Sequence, residues 1–292
     1  EIDRIEFTIN EKKVEIVNID NKLNENEKYD NKKISFIKES FFQYNRIDPN
    51  KNFDNFIIGS SNKIAFEASK KVSEKTSHYN PLYIYGGVGM GKTHLLNSIG
   101  LSLKDTQKVM FISAERFMYQ FVKSIKSNDM VKFKEYFRNA DVFLIDDIQF
   151  MNGKETLQEE FFHTFNALLE KGSQIIISGD RPPNKLYKIQ ERIKSRFSGG
   201  LVIDIQQPDF ELRYKIVKVK SEELKKYYSD QINISEEIQK FISSEIKNSI
   251  RELVGALNRV VSFSRIYNKT PNLSETKIVL KDLLNLPENK VS

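Results

Sequence analysis

The sequence has no cysteine, and its only histidines are His78, His94 and His163. Without cysteine, neither a disulfide nor a thiolate metal site can form. The three histidines also lack the spacing of metal ligands. These absences exclude a disulfide-stabilised module and a zinc-binding module, and they fit a protein of the cytosol.

Long apolar stretches are also missing. No run approaches the roughly 18 residues that a membrane span needs, and the N-terminus has no signal-peptide core. We therefore expect a soluble, cytoplasmic protein. Because the chain begins with Glu1 and not with methionine, we expect it to be a piece of a longer protein.

The 292 residues, 39% of them hydrophobic, are enough for one large domain or two smaller ones. Lysine and arginine number 46 against 40 acidic residues, which gives a net charge of +6. Residues 1–50 hold more acidic than basic side chains, so the basic excess lies further along the chain. This excess favours a polyanionic partner without identifying it.

Three regions follow one another along the chain. Residues 1–50 open with apolar residues in alternation, typical of a hairpin, and continue into an Asn/Lys/Glu-rich stretch; we interpret them as the linker and remnant of an N-terminal region. Residues 51–207 alternate short apolar runs with helical patterns, which predicts an α/β fold with a parallel five-stranded sheet flanked by helices. The predicted strands are Leu82–Tyr85, Val109–Ile112, Val142–Ile145, Ile175–Ser178 and Leu201–Ile205.

Residues 208–292 lack such runs, and their periodicity is helical throughout. We predict an all-α subdomain there. Its predicted helices are Glu211–Tyr228, Ser235–Lys247, Ile250–Tyr267 and Glu275–Leu286.

A phosphate-binding loop is the strongest motif. Residues 82–93 read LYIYGGVGMGKT, which satisfies G-x-x-x-x-G-K-[ST] between a strand and a helix. Glycines let successive backbone N–H groups face the phosphates, and the helix adds its positive end. Lys92 is expected on the β- and γ-phosphates of ATP, and the Thr93 hydroxyl on Mg²⁺. The nucleotide-binding residues of this segment are predicted to be Gly87, Val88, Gly89, Met90, Gly91, Lys92, Thr93 and His94.

Two acids follow the third predicted strand, at Asp146 and Asp147. Asp146 would hold Mg²⁺, directly or through water, and Asp147 could polarise the attacking water as a general base. The alternative is a pair of acids that only caps the strand and the following helix.

Four segments, in order, resemble the DnaA family of bacterial replication initiators, a branch of the AAA+ ATPases. They read NPLYIYGGVGMGKTHL at 80–95, LIDDIQF at 144–150, EFFHTFNAL at 160–168 and RELVGALNR at 251–259. The resemblance covers about residues 51–286. It implies an AAA+ P-loop fold followed by a helical lid, and slow, switch-like ATP hydrolysis.

The resemblance implies further roles at the nucleotide. Asp180 matches a position that senses the γ-phosphate, although it could instead cap the next loop. Arg196 matches an arginine finger offered to the neighbouring subunit's ATP, with Arg192 beside it; a surface arginine is the alternative. Arg251 matches a lid arginine that reaches the phosphates, and an interdomain salt bridge is its alternative.

The resemblance also implies the place of the adenine. It is expected against Ile57, Ile58, Gly59 and Asn62, where core packing is the rival interpretation.

An additional segment at 115–138 resembles the insertion that distinguishes this family, and we predict two helices there. In the family it binds single-stranded DNA, which implies contacts from Val122, Lys123 and Lys126; the resemblance implies a further contact from Lys154. A solvated basic face is the alternative. Thr156 stands where the family often has arginine, and this departure weakens the expected hold on the strand.

The leading hypothesis is an ATP-switched initiator core that assembles head to tail, binds origin DNA and opens the duplex. The resemblance also implies binding of lipid, and of a helicase or regulators. The alternatives are a regulatory module related to the initiators, a helicase loader and, less favoured, a simple phosphotransferase.

Overall fold

The computed structural model describes residues 47–74, 79–228 and 233–284. Asn45–Ser292 form one compact unit. The predicted N-terminal hairpin lies outside the described residues. Within them, no helix is both long and apolar enough to span a bilayer.

The centre of the unit is a five-stranded, fully parallel sheet in the order β2-β3-β4-β1-β5. The predicted α/β fold is therefore confirmed, and each predicted strand is present with its ends within one residue. The strands are β1 Leu82–Gly86, β2 Val109–Ser113, β3 Val142–Asp146, β4 Gln174–Gly179 and β5 Leu201–Ile205.

Helices cover both faces of the sheet, which explains why the central strands are apolar without alternation. Leu82 and Ile84 point to one face, where α1 and α2 bury them, whereas Tyr83 points to the other face. The helices of this part are α1 Lys63–Ser73, α2 Lys92–Leu103, α3 Ala114–Lys126, α4 Met130–Arg138, α5 Glu155–Glu170 and α6 Glu191–Ser198, with 3-10 turns at Ile148–Met151 and Pro183–Lys185.

The inserted segment between β2 and β3 consists of α3 and α4, as predicted. Ser113 caps α3 by accepting the Arg116 N–H. The rings of Phe117, Phe133 and Phe137 lie within 5.3 Å of one another, centre to centre, and are fully buried. This aromatic cluster fixes the two helices to the sheet and turns their other faces outward.

The helices after Pro208 form the all-α lid, and their apolar side chains make a hydrophobic cluster of their own, the lid cluster. They are α7 Phe210–Tyr227, α8 Glu236–Glu245, α9 Ile250–Tyr267 and α10 Leu273–Val279. The domain boundaries at 50/51 and 207/208 stay predictions.

The predicted helix Glu275–Leu286 was wrong in its bounds. α10 begins at Leu273 because Asn272 and Glu275 form a reciprocal capping box. It ends at Val279, after which a turn buries Leu280 and Leu284 against the lid core. The prediction rested on the helical pattern of the sequence after Pro208, which does not show where the helix ends and this turn begins.

Candidate functional site

The glycine-rich loop joins β1 to α2 at the carboxyl edge of the sheet. Gly89 and Gly91 adopt positive φ angles of 75° and 101°, which side chains other than glycine rarely take. No side chain in the described part of the chain caps α2. An uncapped helix N-terminus with converging N–H groups is a favourable place for an anion such as a phosphate.

Lys92 lies inside this loop with 6% of its surface exposed. Its Nζ donates to the carbonyl oxygens of Gly86 and Gly87, both at 2.8 Å. Burial lowers the pKa of Lys92, and the nearby Asp147 and Asp146 oppose that shift. The loop therefore holds a desolvated ammonium where the phosphates are expected.

Asp146 ends β3 and is fully buried. The Thr93 hydroxyl donates to its Oδ2 at 2.8 Å, and the Ser178 hydroxyl donates to its Oδ1. The structure thus brings together the two predicted metal ligands, Thr93 and Asp146, although they are 53 residues apart in the chain.

Ser178, at the end of β4, was not predicted as a site residue. Its Oγ also accepts the backbone N–H of Asp147 at 2.8 Å, so that one hydroxyl connects both acids. The signal in the sequence is a single serine that ends the apolar run Ile175, Ile176, Ile177 in a buried strand. No motif marks it, and only the pairing of β3 with β4 reveals its partner.

The oxygen donors of Thr93 and Asp146 fit Mg²⁺. This ion usually takes one or two carboxylates, the substrate's phosphates and water, and it does not need an all-protein cage. The described residues contain no group of three or more acidic, histidine or cysteine side chains around one point, so a structural metal centre is not suggested there.

Asp147 and Asp180 lie near the loop, and both contribute to the electrostatic environment of Lys92. Asp147 is half-buried, and its Oδ1 accepts a hydrogen bond from the Gln149 amide at 3.0 Å. Both oxygens of Asp180 accept from Arg181, at 3.0 and 2.7 Å. The catalytic role of Asp147 and the sensing role of Asp180 stay predictions.

Of the residues predicted to hold adenine, Ile57 and Asn62 line a pocket between the phosphate loop and the lid, whereas Ile58 lines a separate pocket. Asn62 holds the backbone of this segment in place, because its amide donates to Ile57 O and its Oδ1 accepts the Gly59 N–H. His94 Nε2 lies 2.9 Å from Asn52 O, and its ring meets Phe56 edge-on. The pocket is lined by Phe56, Ile57, Asn62, His94, Ile216 and Val254, among others.

The rival interpretation of this segment, core packing, is partly realised. Ile57 packs against the lid cluster and Ile58 against the cluster beneath the sheet. A side chain on Gly59 would meet Leu212 at 2.9 Å, so the close approach there is to the lid. Met90 is buried as well, whereas Val88 is exposed.

Arg251, at the start of α9, lies beside the phosphate loop. A Cβ on Gly89 would come within 3.0 Å of the Cβ atoms of Arg251 and Ser249. Arg251 is exposed, and its charge lowers the pKa of Lys92. No salt bridge is recorded for Arg251 within the described residues, which disfavours the interdomain ion pair.

Arg196 and Arg192 lie on α6, and both are exposed. The guanidinium of Arg192 lies over the Phe162 ring at 4.6 Å and donates to Gln190. On the described part of the chain, no ion pair is recorded for Arg196. An exposed, uncommitted arginine is compatible with a role in another subunit.

The basic side chains of the insertion divide into two groups. Lys134 and Arg138 pair with the buried Glu160, and Lys132 pairs with Asp129. Lys123 and Lys126 lie in the last turn of α3, beside the exposed Val122. Lys154 donates to Phe150 O at 2.7 Å. Lys132, Lys134 and Arg138 are therefore already engaged in ion pairs within the chain.

Comparison with known proteins gives a consistent match. Residues 47–204 match the family model described as the bacterial DnaA ATPase domain. The chain is 46% identical over 260 residues to the chromosomal replication initiator protein DnaA of Lachnoclostridium phytofermentans, and 44% over 252 residues to that of Ehrlichia ruminantium. These alignments cover 87% and 84% of this chain but 55% and 53% of the relatives. The chain thus spans about half the length of the curated relatives it matches.

Solved structures agree. Domain III of the Thermotoga maritima replication initiation protein DnaA superposes with a TM-score of 0.76 at 38% identity, covering 82% of this chain and 99% of that one. A replication initiator DnaA bound to AMPPCP and single-stranded DNA gives a TM-score of 0.71 at 33% identity, covering 82% and 71%.

Proposed function

Because the chain belongs to the bacterial DnaA ATPase-domain family, we propose that it is the ATP-switched core of a replication initiator. In this role it binds ATP with Mg²⁺, assembles head to tail, engages origin DNA and promotes duplex opening. Slow hydrolysis returns it to the inactive state. The observation that carries the proposal is the buried Lys92 in its loop beside the Thr93–Asp146 pair.

Each step has a residue that suits it. Lys92 would neutralise the β- and γ-phosphates once they replace the Gly86 and Gly87 carbonyls as its partners. Thr93 and Asp146 would hold Mg²⁺, which supplies charge neutralisation at the transferred phosphoryl group. Asp147 would accept a proton from the attacking water. Asp180 would respond to the γ-phosphate from the end of β4.

Assembly would depend on charge supplied by a second copy. Arg196 would reach the ATP of the adjoining subunit and stabilise charge on the γ-phosphate, so that ATP joins two protomers. Arg251 would close the lid on the same nucleotide from within the chain. Because Arg196 of one protomer and Arg251 of the next would meet at the same ATP, the nucleotide would act as a switch for the oligomer.

Single-stranded DNA would contact the outer end of α3 through Val122, Lys123 and Lys126, and would also contact Lys154. A structural relative is described as bound to AMPPCP and single-stranded DNA, which supports this partner. Such contacts to the backbone do not select a sequence. Binding of lipid, helicase or regulators, and residence in the cytoplasm, stay predictions.

The test is nucleotide-dependent assembly. Light scattering of the wild type with ATP and Mg²⁺ should report oligomers that ADP does not produce, and Arg196→Ala should abolish them while it leaves ATP affinity within about twofold. Lys194→Ala is the matched control, because Lys194 lies on the same helix but already pairs with Glu191. Equal assembly of wild type and Arg196→Ala would overturn the head-to-tail model.

A further inference from the structure

The 3-10 turn after β3 places an amide donor on the predicted general base. The Gln149 Nε2 donates to Asp147 Oδ1 at 3.0 Å. Asp147 is the N-cap of this turn, and an N-cap aspartate ordinarily accepts a backbone N–H of the turn. Here its carboxylate makes no such bond. The Asp147 carboxylate therefore accepts a hydrogen bond from Gln149 and does not cap the turn.

The backbone of Asp147 supports this arrangement. Its φ of 58° and ψ of 55° place it in the left-handed region, which is uncommon for a residue other than glycine. The N–H is tied to Ser178 Oγ. A residue held in a sparsely populated conformation near a reactive site persists because its surroundings fix it. The left-handed backbone and the hydrogen bond to Ser178 therefore keep the Asp147 side chain out of the capping position.

Gln149 itself is anchored by the residues on either side. Ile148 and Met151, from the same turn, are almost fully buried in the cluster that contains Phe117 and Phe121 of the insertion. Gln149 Oε1 is buried and has no hydrogen-bond partner among the described residues. The only hydrogen bond recorded for this side chain, within the described part of the chain, is therefore the one to Asp147.

We propose that Gln149 is a positioning residue for ATP hydrolysis, which orients the Asp147 carboxylate toward the attacking water. By occupying Oδ1, the amide fixes the carboxylate plane and leaves Oδ2 to accept the proton of the water. The water loses a proton to Asp147 as its oxygen attacks the γ-phosphorus, and ADP leaves with the electron pair of the broken P–O bond. This inference rests on the proposed ATPase function and assigns no contact of Gln149 with ATP.

The experiment separates orientation from binding. Gln149→Met keeps the length and shape of the side chain without the donor, whereas Gln149→Lys keeps a donor at similar reach. Gln149→Met should lower the single-turnover hydrolysis rate about tenfold, because a misplaced catalytic group loses much of its effect. The dissociation constants of ATP and ADP should stay within twofold of wild type. Gln149→Lys should recover most of the rate.

A matched control is available at the end of β5. Gln206 donates to Asp204 two residues before it, at 3.2 Å, in the same sequence relation as Gln149 to Asp147. Gln206→Met should leave the hydrolysis rate unchanged.

A second readout needs no turnover. In the nucleotide-free protein, the side-chain NH₂ resonances of Gln149 can be assigned by their loss in Gln149→Met. They should shift toward solvent-exposed values in Asp147→Ala.

The outcomes discriminate. If Gln149→Met hydrolyses ATP at the wild-type rate, or if it loses nucleotide affinity in proportion to rate, the positioning role is overturned while the ATPase function stands. If the wild type itself neither binds nor hydrolyses ATP, the proposed function fails, and this inference fails with it.

Discussion

Ser178 shows how one small side chain can organise a charged site. Its hydroxyl donates to the buried carboxylate of Asp146 and accepts the N–H of Asp147. A buried charge needs hydrogen-bond donors to offset its lost hydration. A serine at the end of an apolar strand therefore helps to hold the Asp146 carboxylate in place for a metal ion.

Ser178→Ala is expected to destabilise the protein by about 1–3 kcal/mol, because it removes one buried hydrogen bond from the Asp146 carboxylate and one from the Asp147 N–H. It should also weaken ATP binding in Mg²⁺ more than in EDTA. Denaturant unfolding and nucleotide titration measure the two effects. Ser69→Ala is the control, since the equally buried Ser69 donates within its own helix, to Ala65 O. Equal losses in both variants would count against the role of Ser178.

His94 predicts a pH dependence of stability. Burial lowers its pKa below the ordinary 6.5, and the hydrogen bond to Asn52 opposes the shift. The unfolded chain therefore binds more protons than the folded one between the lowered pKa and 6.5, so stability is lost as pH falls through that window. Unfolding curves should show this loss, and His94→Gln should reduce it. The same substitution at the exposed His163 should leave the dependence of stability on pH as it is in the wild type. If the stability of the wild type does not fall with pH in this window, the role assigned to His94 is wrong.

At the scale of elements, the two inserted helices could be predicted because their amphipathic period is strong, and the buried Phe117, Phe121 and Phe137 confirm it. Which of their basic side chains pair with acids elsewhere in the fold could not be predicted. Glu160, which pairs with both Arg138 and Lys134, lies on α5, more than 20 residues along the chain. Charge counts in a sequence contain no information about such tertiary partners.

Replacing Lys123 and Lys126 together by glutamine should weaken the binding of single-stranded DNA and reduce its salt dependence. Each phosphate contact on a single strand contributes roughly 0.7 to the slope of log K against log salt, so two lost contacts should lower the slope by about 1.4. Fluorescence anisotropy at several salt concentrations measures this. The paired Lys132 and Lys134, replaced in the same way, should change the slope little. Identical slopes for both double variants would reject α3 as the binding element.

At the scale of the whole molecule, the motif and the periodicity predicted a parallel sheet with its phosphate loop. They could not predict that Gln149 holds Asp147 or that Gly59 lies against Leu212. The first depends on a 3-10 turn with a left-handed start, and the second on how the lid packs. Local sequence preference fixes neither, because both depend on contacts made after the elements assemble.

Arg251 lies beside the phosphate loop, and the proposed coupling of the lid to the nucleotide through this residue can be measured as stability. A ligand that binds only the folded state stabilises it by about 2.7 kcal/mol at a concentration 100 times its dissociation constant. Arg251→Ala should weaken ATP about tenfold, and so remove about 1.4 kcal/mol of that effect at a fixed ATP concentration. ADP should be affected less, because the γ-phosphate supplies the charge that Arg251 would meet. The nucleotide-free melting temperature should not change, since Arg251 is exposed.

Arg265, near the opposite end of α9 and stacked on Tyr228, is the matched control. If Arg265→Ala and Arg251→Ala lose the same ATP-induced shift in thermal unfolding, the lid does not sense the nucleotide through Arg251.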